Sequence, residues 1–432
     1  MHPNALLEAA TELVHRLLRF EHPADRVASD FFRESRSLGS RERHSLADTA
    51  YAVLRELPFY RHLAQSGSGE MERRLAILGW QGNAGFLRAA LSELELSWLE
   101  RSRAVDRSAL PESLRHNLPD WLAERLQPAL GDEFWPWVES VNRPAPLDLR
   151  ANVARASRDE ALARLRSEGI DAQATPYSPV GIRVAGKPAL QQHGVFTEGW
   201  VEVQDEGSQL LALMTGARRG EMVVDFCAGA GGKTLALGAQ MRSSGRLYAF
   251  DISGHRLAAL KPRLARSGLS NVYPIQIAHE RDERIKRLAG KIDRVLVDAP
   301  CTGLGTLRRS PDMKWWQSPQ SLLELGLEQR AILDAAAKLL KPGGRLVYAT
   351  CSPLKEEDEA VAAEFDASHG ASFVRLPVQE LLQKAQVDAP ETLVSGDDLR
   401  LWTHRHGTDG FFAAAWERRA TNTLEGNEWK ER

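Results

Sequence analysis

Apolar residues in the first part of the chain recur with the spacing of amphipathic helices. Between residues 6 and 18 they fall at intervals of three and four positions, which places them on one helical face. The segments 28–32 and 47–57 repeat this pattern. We therefore predict an all-helical domain over residues 1–140.

The composition changes near residue 142, where two prolines, Pro144 and Pro146, follow closely on each other. Beyond them, the apolar runs at 147–152 and 181–184 are typical of strands, and 158–168 has the pattern of a helix. Elements this short suggest a small α+β module of the split βαβ type, which we place at 141–205. Residues 199–209 are predicted to form a strand that runs into a polar turn.

From residue 206 onward, predicted strands and helices alternate. Alternation of this kind is typical of a mostly parallel, doubly wound sheet, so the predicted fold class is α/β, with a Rossmann-like domain over 206–418. The polar residues 419–432 are expected to form a tail. The strand patterns cover 222–226, 246–251, 272–277, 292–298 and 344–350, and the helical patterns cover 233–241, 254–267, 281–288 and 319–340.

Composition narrows the possible classes of protein. The hydrophobic fraction of 43% and the charged fraction of 26% are those of a globular protein, and no run of about 18 apolar residues predicts a membrane span. The 3 cysteines, with no C-x-x-C spacing, argue against a disulfide framework and a zinc site, so we expect a cytoplasmic protein without metal. The net charge of −2 means that nucleic-acid binding would need local basic patches. We expect a monomer.

A glycine-rich turn follows the first strand of the Rossmann-like domain. A phosphate-binding P-loop would need glycine at Cys227, and a dinucleotide fingerprint would need glycine or alanine at Thr234, so neither template matches. A pocket for S-adenosylmethionine fits better, because Asp251 at the end of the next strand can accept hydrogen bonds from a ribose diol. The alternative is a tight turn without a ligand. The turn contains Cys227, Ala228, Gly229, Ala230, Gly231, Gly232 and Lys233.

Two of the cysteines stand at the ends of predicted strands. Asp298 and Cys301 follow one strand and Cys351 follows the next, so we expect all three in the crevice at the carboxyl ends of the strands. A thiolate that adds to carbon 6 of cytosine makes carbon 5 nucleophilic enough to accept a methyl group. An acid near ring nitrogen 3 would stabilise the adduct, and a second thiol would assist its breakdown. A free thiol has a pKa of ~8.5, so the nucleophile needs help to ionise.

These segments resemble the RsmB/Sun family of RNA 5-methylcytosine methyltransferases over nearly the whole chain. The resemblance implies that Cys351 is the nucleophile and that Cys301 assists release of methylated RNA. It also implies that Asp298 lines both the cofactor and the base pockets, and that residues 227–233 and Asp251 bind S-adenosylmethionine. The family's blocks occur here, in order, at 204–209, 227–233, 298–301, 308–315, 349–352 and 410–412.

The resemblance further implies a class I methyltransferase domain, a NusB-like RNA-binding domain at 1–140 and an RNA-recognition-like module at 141–205. We therefore predict an enzyme that forms 5-methylcytosine in ribosomal RNA, which the NusB-like domain favours over transfer RNA, and we expect the small-subunit 16S rRNA as the substrate. Two alternatives stay open: the same reaction on transfer RNA, and a catalytically weak RNA-binding ribosome assembly factor. A third class, an NTPase, is disfavoured by Cys227.

The chain departs from the family pattern at two positions. The family usually has proline where this chain has Ala230, and its loss should loosen the turn. The family also has an aspartate near the adenine, where this chain has Ala278, so His279 or Glu280 would have to take over that contact. The second departure keeps the assembly-factor alternative open.

A basic segment follows Cys301 and is a candidate for RNA contact. Arg308, Arg309 and Lys314 are predicted to bind phosphates, with Trp315 or a neighbouring tryptophan stacked on a base. The alternative is a solvated basic loop whose tryptophans lie in the core. A base in a duplex could not reach the thiols, so the target should be single-stranded or flipped.

Overall fold

A computed structural model describes residues 1–420, so most of the predicted polar tail lies outside the described residues. The described chain divides into two compact units. The first, here called the helical unit, comprises Met1–Pro144 and Thr306–Pro319, and the second, the sheet unit, comprises the other described residues. Among the helices of the described chain, none is both long enough and apolar enough to cross a membrane.

The helical unit confirms the prediction of an N-terminal helical region. Its first helix buries the apolar face whose spacing predicted it, including Leu7, Leu13 and Leu17. The helices are α1 (Pro3–Leu17), α2 (Ala24–Glu34), α3 (Ser40–Arg55), α4 (Leu57–Ala64), α5 (Met71–Leu78), α6 (Ala84–Ala90), α7 (Glu93–Arg103), α8 (Glu112–His116), α9 (Asp120–Leu130) and α10 (Phe134–Val141).

The sheet unit begins with a small antiparallel sheet in the order β2-β3-β1-β4. Helices follow β1 and β3, which is the βαββαβ arrangement of a ferredoxin-like module. Ser157 and Glu160 form a capping box that starts the first of these helices. The elements are β1 (Leu147–Ala151), α11 (Arg158–Ser167), β2 (Ala172–Ala174), β3 (Gly181–Val184), α12 (Gly194–Thr197) and β4 (Val201–Val203).

The main sheet has nine strands among the described residues, in the order β11-β12-β13-β9-β8-β5-β6-β7, with β10 paired to β13. Strands β5 to β9 run parallel to their neighbours in this group, and β10 to β13 form an antiparallel edge. The strands are β5 (Met222–Asp225), β6 (Arg246–Asp251), β7 (Val272–Gln276), β8 (Ile292–Asp298), β9 (Leu340–Thr350), β10 (Phe373–Arg375), β11 (Val394–Ser395), β12 (Asp398–Leu401) and β13 (Phe411–Arg418).

Helices and apolar residues cover both faces of this sheet, as predicted for a doubly wound α/β domain. In β8, Leu296 packs into one core while Val295 and Val297 pack into the other, because successive side chains point to opposite faces. The helices of this part of the chain are α13 (Glu206–Thr215), α14 (Gly232–Gln240), α15 (Gly254–Ser267), α16 (Glu283–Lys286), α18 (Pro319–Ala337), α19 (Glu359–His369), α20 (Val378–Lys384) and α21 (Thr403–His406). Helix α17 (Met313–Trp316) lies between α16 and α18 in the sequence but belongs to the helical unit.

Two local predictions were wrong. Residues 204–209 are not a simple polar turn, because the Asp205 carboxylate accepts the N–H groups of Gly207 and Ser208 and so starts α13. Strand β9 begins at Leu340, not at residue 344. Residues 341–344 form an irregularity within it, with Gly343 at φ +74°, between the pairings of Leu340 and Arg345.

Candidate active site

The candidate site lies where the order of the parallel strands reverses. Strand β5 is flanked by β6 on one side and by β8 on the other, although β8 follows β7 in the chain. Loops at the carboxyl ends of strands on either side of such a reversal diverge and leave a crevice. The glycine-rich turn follows β5, and Asp298 is the last residue of β8.

The glycine-rich turn needs glycine at two positions for different reasons. Gly229 and Gly231 have φ values of +55° and +83°, which side chains other than glycine rarely adopt. A Cβ atom on Gly231 would also lie 2.1 Å from Cδ1 of Leu260, so its absence allows close packing on α15. Around Gly229 a Cβ would meet no atom within 4 Å, so that position needs only the backbone freedom.

Asp251 lies beside this turn. Its carboxylate accepts the N–H of Gly229 at 2.7 Å through one oxygen and the N–H of Ser253 at 2.7 Å through the other. These bonds fix the carboxylate and leave lone pairs on both oxygens. The next side chain, Ile252, is apolar and yet 59% exposed. The loop therefore presents an oriented acid and an open apolar surface next to each other.

Two arginines, which the sequence analysis did not single out, restrain the turn. Arg263 donates to the carbonyl oxygen of Ala230 at 2.6 Å, and Arg150 of β1 donates to that of Gly232 at 3.0 Å. Burial lowers the pKa of Arg150 to about 10, which still leaves it charged at neutral pH. These bonds hold carbonyl groups on either side of Gly231 and restrain a turn that lacks the family's proline.

The two thiols of Cys301 and Cys351 lie 3.4 Å apart. Strands β8 and β9 are parallel neighbours, with Asp298 paired to Ala349, so the loops after them meet. The pKa of Cys301 is raised well above the ordinary value by its hydrogen bond with Cys351 and by burial. Cys301 is therefore a protonated thiol at neutral pH.

A close backbone approach supports this thiol pair. The N–H of Gly305 donates to the carbonyl oxygen of Cys351 at 2.8 Å, and the N–H of Gly410 donates to that of Gly305 at 2.9 Å. A Cβ on Gly305 would lie 2.2 Å from the Gly410 carbonyl oxygen. Only glycine at position 305 allows the loop after Cys301 to lie this close to Cys351.

Lys233 and Asp298 form an ion pair in the same crevice. The lysine ammonium lies 2.6 Å from Oδ2 of Asp298 and 5.5 Å from the centre of the Phe411 ring. Burial alone would lower the pKa of Lys233, but the Asp298 carboxylate outweighs it and the pKa is raised. Lys233 is therefore a cation held between an acid and an aromatic face. The sequence predicted both residues for the site, but not their contact.

Beneath the turn lie two groups that titrate abnormally. The Asp225 carboxylate is fully buried and accepts the Thr234 hydroxyl at 2.6 Å, and burial raises its pKa to about 7. Cys227 packs against the hydrophobic core, and burial together with Asp225 raises its pKa well above the ordinary value. Cys227 is thus a small side chain packed against the core beneath the turn.

An acid that the sequence analysis missed lies near Ala278. The Asp282 carboxylate accepts the N–H of Ala278 at 3.0 Å, and its hydrogen bonds with Arg284 hold its pKa well below the usual range. The bend that brings residues 278 and 282 together places a carboxylate there, although position 278 itself has none. Spacing alone gave no signal for this contact.

The predicted RNA-binding residues belong to the helical unit, and two of the three are buried. The Lys314 side chain is 1% exposed, and its ammonium donates to the carbonyl oxygen of Arg55 at 2.9 Å and to Oδ1 of Asn142 at 3.3 Å. Arg308 is 7% exposed. The prediction of phosphate contact therefore does not hold for Lys314 and Arg308 in this structure, and it remains a prediction for the half-buried Arg309.

Two models of protein families match parts of this chain. A family model described as 16S rRNA methyltransferase RsmB/F matches residues 212–417, and a model of a ferredoxin-like domain of RsmF/B-like methyltransferases matches residues 118–191. The second match begins before the predicted module boundary at residue 141, so that boundary stays a prediction.

Curated relatives and a solved structure cover much of the chain. The probable ribosomal RNA small subunit methyltransferase B of Synechocystis is 32% identical over 78% of this chain and 74% of that protein. The ribosomal RNA small subunit methyltransferase B of Sodalis glossinidius is 36% identical over 60% of this chain and 59% of its own length. The crystal structure of PH0851 aligns with a TM-score of 0.79 at 26% identity, over 96% of this chain and 99% of that one. By these matches, the chain belongs to the 16S rRNA methyltransferase RsmB/F family.

Proposed function

We propose that this protein uses S-adenosylmethionine to form 5-methylcytosine in ribosomal RNA, with the 16S rRNA of the small subunit as its substrate. The observation that carries the proposal is the thiol pair of Cys301 and Cys351, 3.4 Å apart beside the Lys233–Asp298 ion pair. Covalent activation of a pyrimidine needs one thiol to add and a second group to assist release. The relatives named above are ribosomal RNA methyltransferases, which supports the choice of RNA and a cytoplasmic site of action.

The residues at the glycine-rich turn fit S-adenosylmethionine. Asp251 would accept hydrogen bonds from the ribose, and the exposed apolar side chain of Ile252 would cover the adenine. The turn at 227–233 would let its backbone approach the cofactor, while the Asp298 carboxylate would face its positive charge. When bound, the cofactor supplies a methyl group on a cationic sulfur.

The ion pair changes the role expected of Asp298. A carboxylate paired with Lys233 is a hydrogen-bond acceptor, so it would accept from the 4-amino group of cytosine and would not donate to ring nitrogen 3. Lys233 would instead be the hydrogen-bond donor to ring nitrogen 3. Its positive charge would stabilise the negative charge that the ring gains when the thiolate adds. The pair would thus orient the base and assist addition together.

The two thiols would act in sequence. The sulfur of Cys351, as the thiolate, forms a bond to carbon 6 of the base, and the electron pair displaced from the ring double bond makes carbon 5 nucleophilic. After carbon 5 is methylated, its proton must leave to a base, and the Cys351 sulfur departs with the electrons of the bond to carbon 6. Cys301, kept protonated beside Cys351, can give its proton to the departing thiolate.

The test separates the two thiols. Cys351→Ala should lower methyl transfer by about 10³-fold or more and remove any covalent RNA adduct, because it deletes the nucleophile. Cys301→Ala should leave the protein bound covalently to RNA, visible as a slow-migrating band on a denaturing gel. RNA with uridine at the target position is the matched control. Full turnover by both variants would refute the proposal.

A second measurement identifies the substrate. Bisulfite mapping of cellular RNA, with and without this gene, should show one cytosine of 16S rRNA that loses its protection when the gene is absent. If a cytosine lost its protection only in transfer RNA, transfer RNA would be the substrate and the proposed chemistry would be unchanged. Unchanged protection everywhere, together with ribosome assembly defects, would favour an assembly factor.

A further inference from the structure

A buried carboxylate, which neither the sequence analysis nor the proposed chemistry uses, lies behind the thiol pair. Glu357, on the turn between β9 and α19, is 0% exposed. One of its oxygens accepts the N–H of Thr302 at 2.8 Å and the side-chain amide of Gln329 at 3.0 Å. The other oxygen accepts the hydroxyl of Thr302 at 2.5 Å. The carboxylate is thus held by neutral donors, and two of its three hydrogen bonds come from a single residue.

The residue that donates two of these bonds is an immediate neighbour of Cys301, and it also contacts the neighbour of Cys351. Thr302 follows Cys301, and its hydroxyl lies 3.3 Å from the hydroxyl of Ser352, which follows Cys351. On the other side of Cys301, the carbonyl oxygen of Pro300 accepts the same Gln329 amide group at 2.9 Å. The backbone is therefore restrained both before and after Cys301.

We propose that Glu357 is a positioning residue for the thiol pair, whose carboxylate holds the loop of Cys301 so that its thiol faces that of Cys351. This inference rests on the proposed function, because it assigns Glu357 to the step in which Cys301 acts. Burying a carboxylate without a cationic partner carries a desolvation cost that an apolar side chain would avoid. The hydrogen bonds to Thr302 and Gln329 account for its presence at this point.

Cys351 has supports that do not depend on Glu357. It directly follows β9, which is paired on both sides, and its carbonyl oxygen accepts the N–H of Gly305. Removing the carboxylate should therefore displace Cys301 more than Cys351. The consequence is selective: addition and methyl transfer should persist, while release of the methylated RNA should slow.

The decisive variant is Glu357→Ala, compared with Glu357→Gln. The alanine leaves the N–H and hydroxyl of Thr302 without this acceptor, and we expect about a tenfold rise in trapped RNA adduct, with single-turnover methyl transfer within about threefold of the unaltered protein. Glutamine has nearly the same shape and keeps one oxygen for the N–H of Thr302, so it should restore most of the release. Glu356→Ala, at the exposed neighbouring acid, is the matched control and should not raise the adduct.

The readout distinguishes positioning from loss of the fold. A misfolded protein would lose the adduct and methyl transfer together, whereas a displaced Cys301 gives more adduct. Thr302→Val replaces the hydroxyl with a methyl group and keeps the N–H bond to Glu357, so it should raise the adduct less than Glu357→Ala does. Release at the ordinary rate by both variants would overturn the positioning role while leaving the proposed function intact. Absence of adduct and of methylation in the unaltered protein would instead refute the proposed function.

Discussion

The helical unit buries one lysine and the sheet unit partly buries another, and the pKa values of these two lysines shift in opposite directions. Lys233 of the sheet unit faces the Asp298 carboxylate at 2.6 Å, and its pKa is raised despite burial. Lys314 of the helical unit has neutral acceptors, the oxygens of Arg55 and Asn142, and burial lowers its pKa to about 7. Burial alone therefore does not decide whether a lysine is a cation; the presence of an opposite charge does.

The opposite pKa shifts of Lys233 and Lys314 give the two lysines different roles. A lysine that remains cationic in a crevice can stabilise negative charge on a bound base, which the proposed function assigns to Lys233. Lys314 lies on α17 within the helical unit, and its bond to the Arg55 carbonyl oxygen ties the segment 306–319 to α3. The Arg308 carbonyl oxygen accepts from Arg55 of α3 at 2.9 Å, and the Asp312 carboxylate accepts the N–H of Ala24, the first residue of α2, at 3.0 Å.

Among the changes that test this comparison of the two lysines, breaking the ion pair should have the largest effect. In Asp298→Ala, Lys233 loses the carboxylate that raises its pKa and becomes like Lys314, so methyl transfer should fall by about 10²–10³-fold. The remaining activity should decline further as pH rises, because a lysine with a lowered pKa then loses its proton. Single-turnover rates across pH measure both effects. Asp298→Asn keeps an acceptor without the charge, and equal rates for this variant and the unaltered protein would contradict the role of the ion pair.

Replacing the other lysine should change stability and not chemistry. In the unfolded chain Lys314 has an ordinary pKa of 10.5, and in the folded protein about 7, so between these values only the unfolded state holds the proton. The free energy of unfolding should therefore rise with pH from about 7 to 10.5, and this gain should be missing in Lys314→Met. Urea unfolding of the helical unit at pH 7 and pH 9.5 measures this gain. Between these two pH values, the free energy of unfolding should rise by about 1–3 kcal/mol more in the unaltered protein than in Lys314→Met. Parallel pH dependence in both would show that Lys314 is charged when folded.

Asp225 provides the acidic counterpart of Lys314, with a smaller expected effect. Its pKa is about 7 in the folded protein against an ordinary 3.8, so between these values the folded state holds the additional proton. The free energy of unfolding should therefore fall as pH rises from 3.8 to 7. In Asp225→Asn this fall should be smaller by about 1–2 kcal/mol. Urea unfolding of the sheet unit at pH 5 and pH 7.5 measures the difference. If the variant kept the full pH dependence, other carboxylates would be responsible for it.

Several elements of the sheet unit could be predicted from the sequence, because their signals are local. The strands 246–251 and 292–298 and the helix 254–267 match the structure residue by residue, since periodicity and end signals such as Ser253 at an N-cap act over a few positions. The start of α13, where a polar turn was predicted, also has a local cause, the capping by Asp205. The bulge at 341–344 depends instead on the pairing with β8, which no local pattern shows.

The candidate site likewise combines features that the local sequence predicts with features that depend on tertiary packing. The sequence by itself determined which side chains could do chemistry and that they stand at strand ends: two thiols, Asp298, Lys233 and a glycine-rich turn. Only the tertiary structure decided that β8 and β9 are neighbours, that the thiols lie 3.4 Å apart, that Glu357 is buried behind them and that Lys314 is buried. The physical reason is that hydrogen bonds and burial between residues 50 or more positions apart depend on how elements pack, whereas periodicity and capping depend only on neighbours along the chain.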